Sequence, residues 1–262
     1  VIRDAFWSEW IKLRRRTLFL GTFGGLALAA SFFAILEITQ AAAVGPGGAD
    51  LPSLAQLAQP NGLIHGLSRA VVLLGIVAFG LGASQMATEY NLGTLRQLLV
   101  RQPRRVTFLA GKLIGVVSFV LLAVVFAAVV TGLAAVMAAH LRHVPVGAWF
   151  SSVGVRDLTA ALGELLLAVV GFTTLGMAVG LFLRSSVFAV IVGFAYLLPV
   201  ENILGRLLPG VNPWLPGQLL EAVGQGGSAV SGLGRALGIS AVYLAVVCGL
   251  TAVTFRNRDV TA

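Results

Sequence analysis

Few residues in this sequence have the types and spacing that chemistry needs. Gly111-Lys112 is followed by Leu113, and position 106 is Val. A nucleotide-binding loop requires G-x-x-x-x-G-K-[ST], so no phosphate cradle of that kind is present. His140-x-x-His143 sets two imidazoles on one helical face. A metal site needs further ligands, Asp157 is the one plausible nearby acid, and the single Cys248 excludes both a cysteine cluster and an intramolecular disulfide. The pair therefore reads as interface histidines. The nucleophile elbow G-x-S-x-G is absent, which leaves intramembrane proteolysis without support. No catalytic residue, cofactor site or metal site is expected in this chain.

Glu164 is a different kind of signal. It falls about two turns inside an apolar run. An acid at that depth is costly and usually faces a cavity or a partner. Two readings stay open: a polar lining for a translocation path, or an inter-span pair with Arg69, Arg206 or Arg235. Glu37 and Glu201 sit at span ends, where solvation is easier.

The most polar and cationic long stretch is Glu89–Lys112, EYNLGTLRQLLVRQPRRVTFLAGK. Gly93 and Thr94 can start a helix, with the threonine hydroxyl accepting from free backbone N–H groups. Leu95, Leu98 and Leu99 fall at helical spacing, and Pro103 cannot continue the helix. Arg96, Arg101, Arg104, Arg105 and Lys112 supply the charge. A short amphipathic helix held between two hydrophobic runs is a docking piece for a soluble partner, or else an ordinary basic loop. The N-terminal segment VIRDAFWSEWIKLRRR has the same mixed character. Phe6, Trp7, Trp10, Ile11 and Leu13 are apolar, while Glu9, Lys12 and Arg14–Arg16 are polar, the pattern of a helix lying in a membrane interface.

The elements that must hold these segments are membrane spans. The chain has 262 residues, of which 58% are hydrophobic and 11% charged. A soluble domain is about 25% charged. Long non-alternating apolar runs imply helices rather than a barrel. The spacing predicts an all-α polytopic membrane domain with six spans, at about 17–38, 67–88, 113–139, 158–183, 187–200 and 235–255; the cytoplasmic start of span 3 can reach back to Val106, and the short span 5 either starts earlier or is shaped at its end by a break at Pro199. Segment 89–112 lies between spans 2 and 3. Trp149 and Phe150 are expected as interface anchors. Between spans 5 and 6, Pro209, Pro213 and Pro216 break a semi-apolar stretch into two half-helices, about Asn202–Leu208 and Pro216–Val223. This is expected to be a re-entrant or outer-surface pair.

The net charge is +8. The basic residues flank spans, so headgroups and orientation explain them better than nucleic acid does. Thirteen of the 18 Lys and Arg residues fall on the side of the N-terminal segment, segment 89–112, Arg184 and the tail. That split places both termini in the cytoplasm of a cell-membrane protein.

Three features together resemble the ABC-2 type permease family, the membrane subunits of certain ABC exporters. They are Glu9-x-x-Lys12-x-Arg14 before span 1; Glu89-x-x-x-Gly93-Thr94-x-Arg96-x-x-Leu99 followed by Pro103, Arg105 and Gly111-Lys112; and the broken pair before span 6. The resemblance covers essentially the whole chain, and the second feature is the most specific. It implies a dimer, either homodimer or pair of related chains, with a separate cytoplasmic ABC ATPase subunit that binds ATP and Mg. It also implies that Glu89, Tyr90, Gly93, Thr94, Leu95, Arg96, Leu98, Leu99 and Arg101 include an ATPase-coupling helix. Trp7, Glu9, Trp10, Lys12 and Arg14 would form the flanking interface helix. The expected cargo is a drug, antibiotic, lipid or other amphiphile, with membrane lipids as further partners. An ion-coupled secondary transporter, or a membrane scaffold without transport, is the alternative. A carrier has no need of a dock, so segment 89–112 discriminates between them.

Overall fold

Alternating polar loops and apolar runs fold the described residues into ten α-helices whose long members stand side by side. The computed structural model describes residues 2–41, 52–91, 105–208, 210–228 and 231–257, and none of these lies in a β-strand. The helices are α1 (Ile2–Leu13), α2 (Arg16–Gln40), α3 (Leu54–Leu57), α4 (Gly62–Asn91), α5 (Arg105–Leu141), α6 (Ser152–Leu183), α7 (Ser186–Ala195), α8 (Glu201–Leu207), α9 (Pro216–Gly224) and α10 (Leu233–Asn257). A π turn, Tyr196–Val200, joins α7 to α8. Among the described residues six helices are long and apolar enough to cross a bilayer: α2, α4, α5, α6, the combined α7–α8, and α10. The chain is a multi-pass, all-α membrane protein. Its outward faces carry Leu28, Phe32, Leu122, Leu133, Val242 and Leu250, all exposed, as helices bathed in lipid require.

The spans are longer than their apolar cores. α4 begins at Gly62 rather than near Leu67 and α6 at Ser152 rather than Leu158, while α5 is helical from Arg105, next to the Val106 expected as its earliest start. Polar residues extend a helix at no cost once it leaves the hydrocarbon. Segment 89–112 is thereby divided. Glu89–Asn91 belong to α4 and Arg105–Lys112 to α5. Gly93, Thr94, Leu95, Arg96, Leu98, Leu99 and Arg101, with the short helix predicted for them, lie outside the described residues.

Span 5 does not end at Val200. Pro199 is absorbed in the π turn, and the helix runs on to Leu207. A π turn loosens the local ladder where proline has no N–H to give. The broken pair is present, but its first arm is the continuation of span 5. Its second arm is α9, reached through a short 3-10 turn at Asn212–Trp214.

The pair α4 and α6 forms the centre of the bundle. There is no side chain between their backbones at the closest points. A Cβ on Gly82 would strike Thr173 O, one on Gly176 would strike Phe79 O, and one on Gly180 would strike Ala83 O. Gly75 leaves room for the Phe172 ring in the same way. Small residues are what lets membrane helices approach when lipid is as apolar as leucine. α2 packs against α5 and α4, α1 lies on α5, and α10 leans on α9 and α6. At the end of the bundle opposite α1, the Trp149 indole is buried and donates to Leu57 O at 2.7 Å. Trp149 is thus a core residue rather than an interface anchor, while its neighbour Phe150 is 64% exposed.

Gly176→Leu should lower the thermal unfolding midpoint of the detergent-purified protein, because overpacking a filled contact costs about 1–3 kcal/mol. Gly132→Leu, at a glycine with open space around it, should shift the midpoint little. Equal midpoints for the two variants would contradict the packing described.

Candidate functional site

α1 reaches the bundle through one narrow face. Ala5, Glu9 and Leu13 recur at four-residue intervals and are buried. Opposite them α5 presents Gly111 and Gly115. A Cβ on Gly111 would stand 2.7 Å from the Ala5 Cβ, and one on Gly115 would stand 3.0 Å from the Glu9 Cβ. The two glycines bring α1 close enough for Glu9 to enter the interior. Aromatic contacts hold its flank. The Phe6 and Trp10 rings stack at 5.7 Å, and Trp10 meets Phe119 edge-on at 6.1 Å. Trp7 is half exposed and Arg14 fully so, as suits the outward side of an interface helix.

Four charges from three helices meet at this contact. The Lys112 ammonium lies 3.0 Å from Glu9 Oε2 and 2.9 Å from Glu89 Oε1. The Lys12 ammonium lies 2.8 Å from Glu9 Oε1 and 2.7 Å from Glu89 Oε1 and donates to both. Two ammoniums and two carboxylates make a neutral set. The side chains of Glu9 and Lys112 are buried, that of Glu89 nearly so, and that of Lys12 is 38% exposed. Lys112 makes close ion pairs whose angles are off hydrogen-bond alignment. Burial works against the charged form of Lys12. The charges of Glu89 and Glu9 outweigh it and hold the Lys12 pKa above the ordinary lysine value of 10.5. A raised lysine pKa contributes stability that is fully present below 10.5 and is lost only as pH rises through the folded-state value. Lys12 therefore stays charged at neutral and mildly alkaline pH.

The cluster brings together sequence-predicted residues that lie far apart in the chain. Glu9 and Lys12 come from the interface helix, Glu89 opens segment 89–112, and Lys112 closes it. Both ends of that segment are thus tied at one point, against α1. The next residues extend the contact. The Arg184 guanidinium lies 5.8 Å from the centre of the Tyr90 ring, and the Asn91 amide donates to Ser186 Oγ at 3.1 Å. α4 is therefore linked at this end to α1, α5 and the α6–α7 turn. Among the described residues no three His, Cys, Asp or Glu side chains are placed to hold a metal ion. The arrangement ties three helices to one another.

Other sequence-predicted acids lie elsewhere. Glu164, on α6, faces the turn after α9, where Gly226 (φ +75°) leaves room for its carboxylate. It makes no ion pair among the described residues. Arg69 lies 3.7 Å from Glu37 instead, and Arg235 lies over the Trp214 ring. Glu201 is not a solvated span end. It is buried, and its carboxylate accepts from the N–H groups of Gly217 and Gln218 at 3.0 and 2.9 Å, capping α9. The acid lies in one arm of the broken pair and the helix start in the other. That relation is invisible in local spacing, although Pro216 did mark the start of α9.

A family model described as a protein of unknown function, DUF2705, matches residues 56–261. The chain belongs to the DUF2705 family. No curated protein matches it. Glu89 and Lys112 of this DUF2705 protein fall within the matched region, and the α1 partners Glu9 and Lys12 precede it.

Lys112→Met leaves two buried carboxylates with only the half-exposed Lys12, and should destabilise the protein by about 3–5 kcal/mol. Lys112→Met combined with Glu89→Gln removes the surplus charge and should recover part of that loss in a double-mutant cycle. Additive losses in thermal or denaturant unfolding would show that the two groups do not interact.

Proposed function

We propose that this DUF2705 protein is the membrane permease subunit of an ATP-driven exporter of the ABC-2 type. It works as a pair of permeases, homodimeric or of related chains, with separate ABC ATPase subunits that bind ATP and Mg. The chain itself performs no catalytic step. The end of the bundle that carries α1 faces the cytoplasm of the cell membrane, as the excess of Lys and Arg on that side favours. The cargo is a drug, antibiotic, lipid or other amphiphile, consistent with spans that carry few charges.

The observation that supports this reading is the charge cluster Glu9–Lys12–Glu89–Lys112. An exporter permease has to turn movement of a soluble ATPase into movement of its spans. Here both ends of segment 89–112 enter one buried, ion-paired joint with α1. A load applied to residues 92–104 would reach α4, α5 and α1 together. α4 is in turn seated on α6 without intervening side chains. Rigid elements that share such a joint can pass a small displacement across the membrane. A simple tether between spans has no need of three buried charges and a fourth at their edge.

The test is co-purification of the tagged chain with the products of its neighbouring genes. A soluble ABC ATPase should be retained. Arg96→Glu should lower its recovery roughly tenfold or more, since a reversed charge at a docking contact costs several kcal/mol. Lys12→Met, which disturbs the joint and not the dock, should retain the ATPase but weaken cargo-stimulated hydrolysis. A chain that purifies as a stable oligomer without any ATPase would overturn the proposal and favour an ion-coupled carrier.

A further inference from the structure

Between α5, α6 and α10, near the end that carries α1, runs an open groove of about 190 Å³. It forms because α10 leans on α9 and α6 and touches α5 only lightly. Small side chains, Ala110, Ala178 and Ala252, hollow out its three walls, and Leu109 and Met177 floor it. Its two hydroxyls are already used. Thr174 Oγ1 donates to Val170 O at 2.8 Å and Thr251 Oγ1 to Val247 O at 2.6 Å, each within its own helix. Apart from the Cys248 thiol, the wall offers an occupant almost only hydrocarbon.

The mouth is different. Arg105 stands one helical turn before Leu109, and Arg256 one turn after Ala252, so each continues a wall of the groove toward the membrane surface. The two meet there, with Arg105 Nη1 donating to Arg256 O at 3.2 Å. An apolar slot with the Arg105 guanidinium beside its opening, and the exposed Arg256 one turn beyond its far wall, complements an amphiphile with an anionic head. The slot is too small for a drug-sized molecule, whose pockets run about 300–1,000 Å³. From Val106 to Leu113 it extends on the order of 10 Å along α5, the scale of part of one acyl chain.

We propose that this groove binds one acyl chain of an anionic membrane phospholipid, with Arg105 and Arg256 holding the phosphate at its mouth. The site is separate from the joint on the other side of α5 and does not rest on the exporter reading. It places a lipid against three helices that otherwise fail to close, at the level where α5 enters the bundle. A guanidinium can bond a lipid phosphate with two parallel N–H donors, and in phosphatidylcholine the choline cation beside that phosphate is repelled by the same arginines, so a headgroup of net negative charge is preferred.

The test uses the full chain in lipid nanodiscs doped with phosphatidylglycerol or phosphatidylcholine carrying a photoactivatable group on the acyl chain. Labelled peptides are then mapped by mass spectrometry. Phosphatidylglycerol should label Leu109–Leu113, Met177 and the region of Cys248 at least about fivefold more than phosphatidylcholine, the preference that one arginine near a membrane surface supplies. Arg105→Gln with Arg256→Gln should abolish the preference, and Ala110→Phe should remove the labelling. Equal labelling by the two lipids on the unaltered chain overturns the proposal, as does labelling spread evenly over Leu122, Leu133 and Val242. The comparison on the unaltered chain holds even where a variant fails to fold. A groove label that survives Ala110→Phe also refutes the assignment.

Discussion

A lysine ammonium cannot be left alone inside a bundle of apolar helices, and Lys112 is buried as completely as any leucine in the core. Its position is tolerable only because Glu9 and Glu89 come to it. Glu9 can come only if α1 lies flat against α5, and α1 can lie there only because Gly111 and Gly115 present no side chain. The path of the chain at this end follows from that requirement. α1 is folded back on the bundle rather than projecting from it. α4 ends where its glutamate meets the cluster, and α5 is helical from Arg105, between one and two turns before Gly111. A pair of hydrophobic residues would hold α1 equally well, and often better. What ion pairs add is register, since turning α1 about its axis would carry Glu9 away from Lys112 and Lys12 away from Glu89.

The six spans were legible because lipid imposes a length of apolar residues that few other constraints mimic. Their ends were less so. The apolar core of span 3 starts at Leu113, yet the helix starts at Arg105, because hydropathy reports where lipid ends and not where the backbone ladder ends. Span 5 was foreshortened for the opposite reason. Pro199 forbids an α ladder, and local rules do not foresee that a π turn will carry the helix across it. Trp149 read as an anchor because tryptophan favours the interface. Its burial depends on Leu57, which is 92 residues distant and offers it a carbonyl.

The candidate site was half visible. Glu9, Lys12 and Glu89 were singled out as members of two polar segments, and Lys112 was seen as a basic residue beside a glycine. Nothing in their spacing said that the segments meet, because the contact spans 77 residues between Lys12 and Glu89. The clue lay in balance. Segment 89–112 has a single acid at its first position and a base at its last, and the N-terminal segment offers one of each at helical spacing. Charges of both signs placed where helices leave lipid are cheap if solvated, so sequence alone has no way to tell an exposed set from a buried one. Glu201 was misjudged on the same ground. It sits at the end of an apolar run, yet it is withdrawn from solvent to cap a helix that follows it by fifteen residues.

These two acids also show how differently the ends of the bundle are held. At the α1 end the partners are full charges, strong at short range and all-or-none in geometry. At the other end one looser ion pair, Arg69 to Glu37 at 3.7 Å, joins α4 to α2, and the closer ties are to backbone: Trp149 to Leu57 O, Glu201 to the N–H groups of Gly217 and Gln218, and Tyr243 to Trp214 O at 2.9 Å. Backbone ties keep short helices folded but do not couple one span to the next. Between the ends, α4 and α6 touch backbone to backbone, so they have little freedom to slide without separating. A displacement of the charged joint would therefore be carried by α4 and α6 as one body. It would be taken up where contacts are thinnest, at α7–α8 and α10. Those peripheral spans expose most of their apolar surface, so their rearrangement trades lipid contact for lipid contact and costs little. The stiff centre and compliant rim follow from where the glycines and charges fall, whatever the cargo.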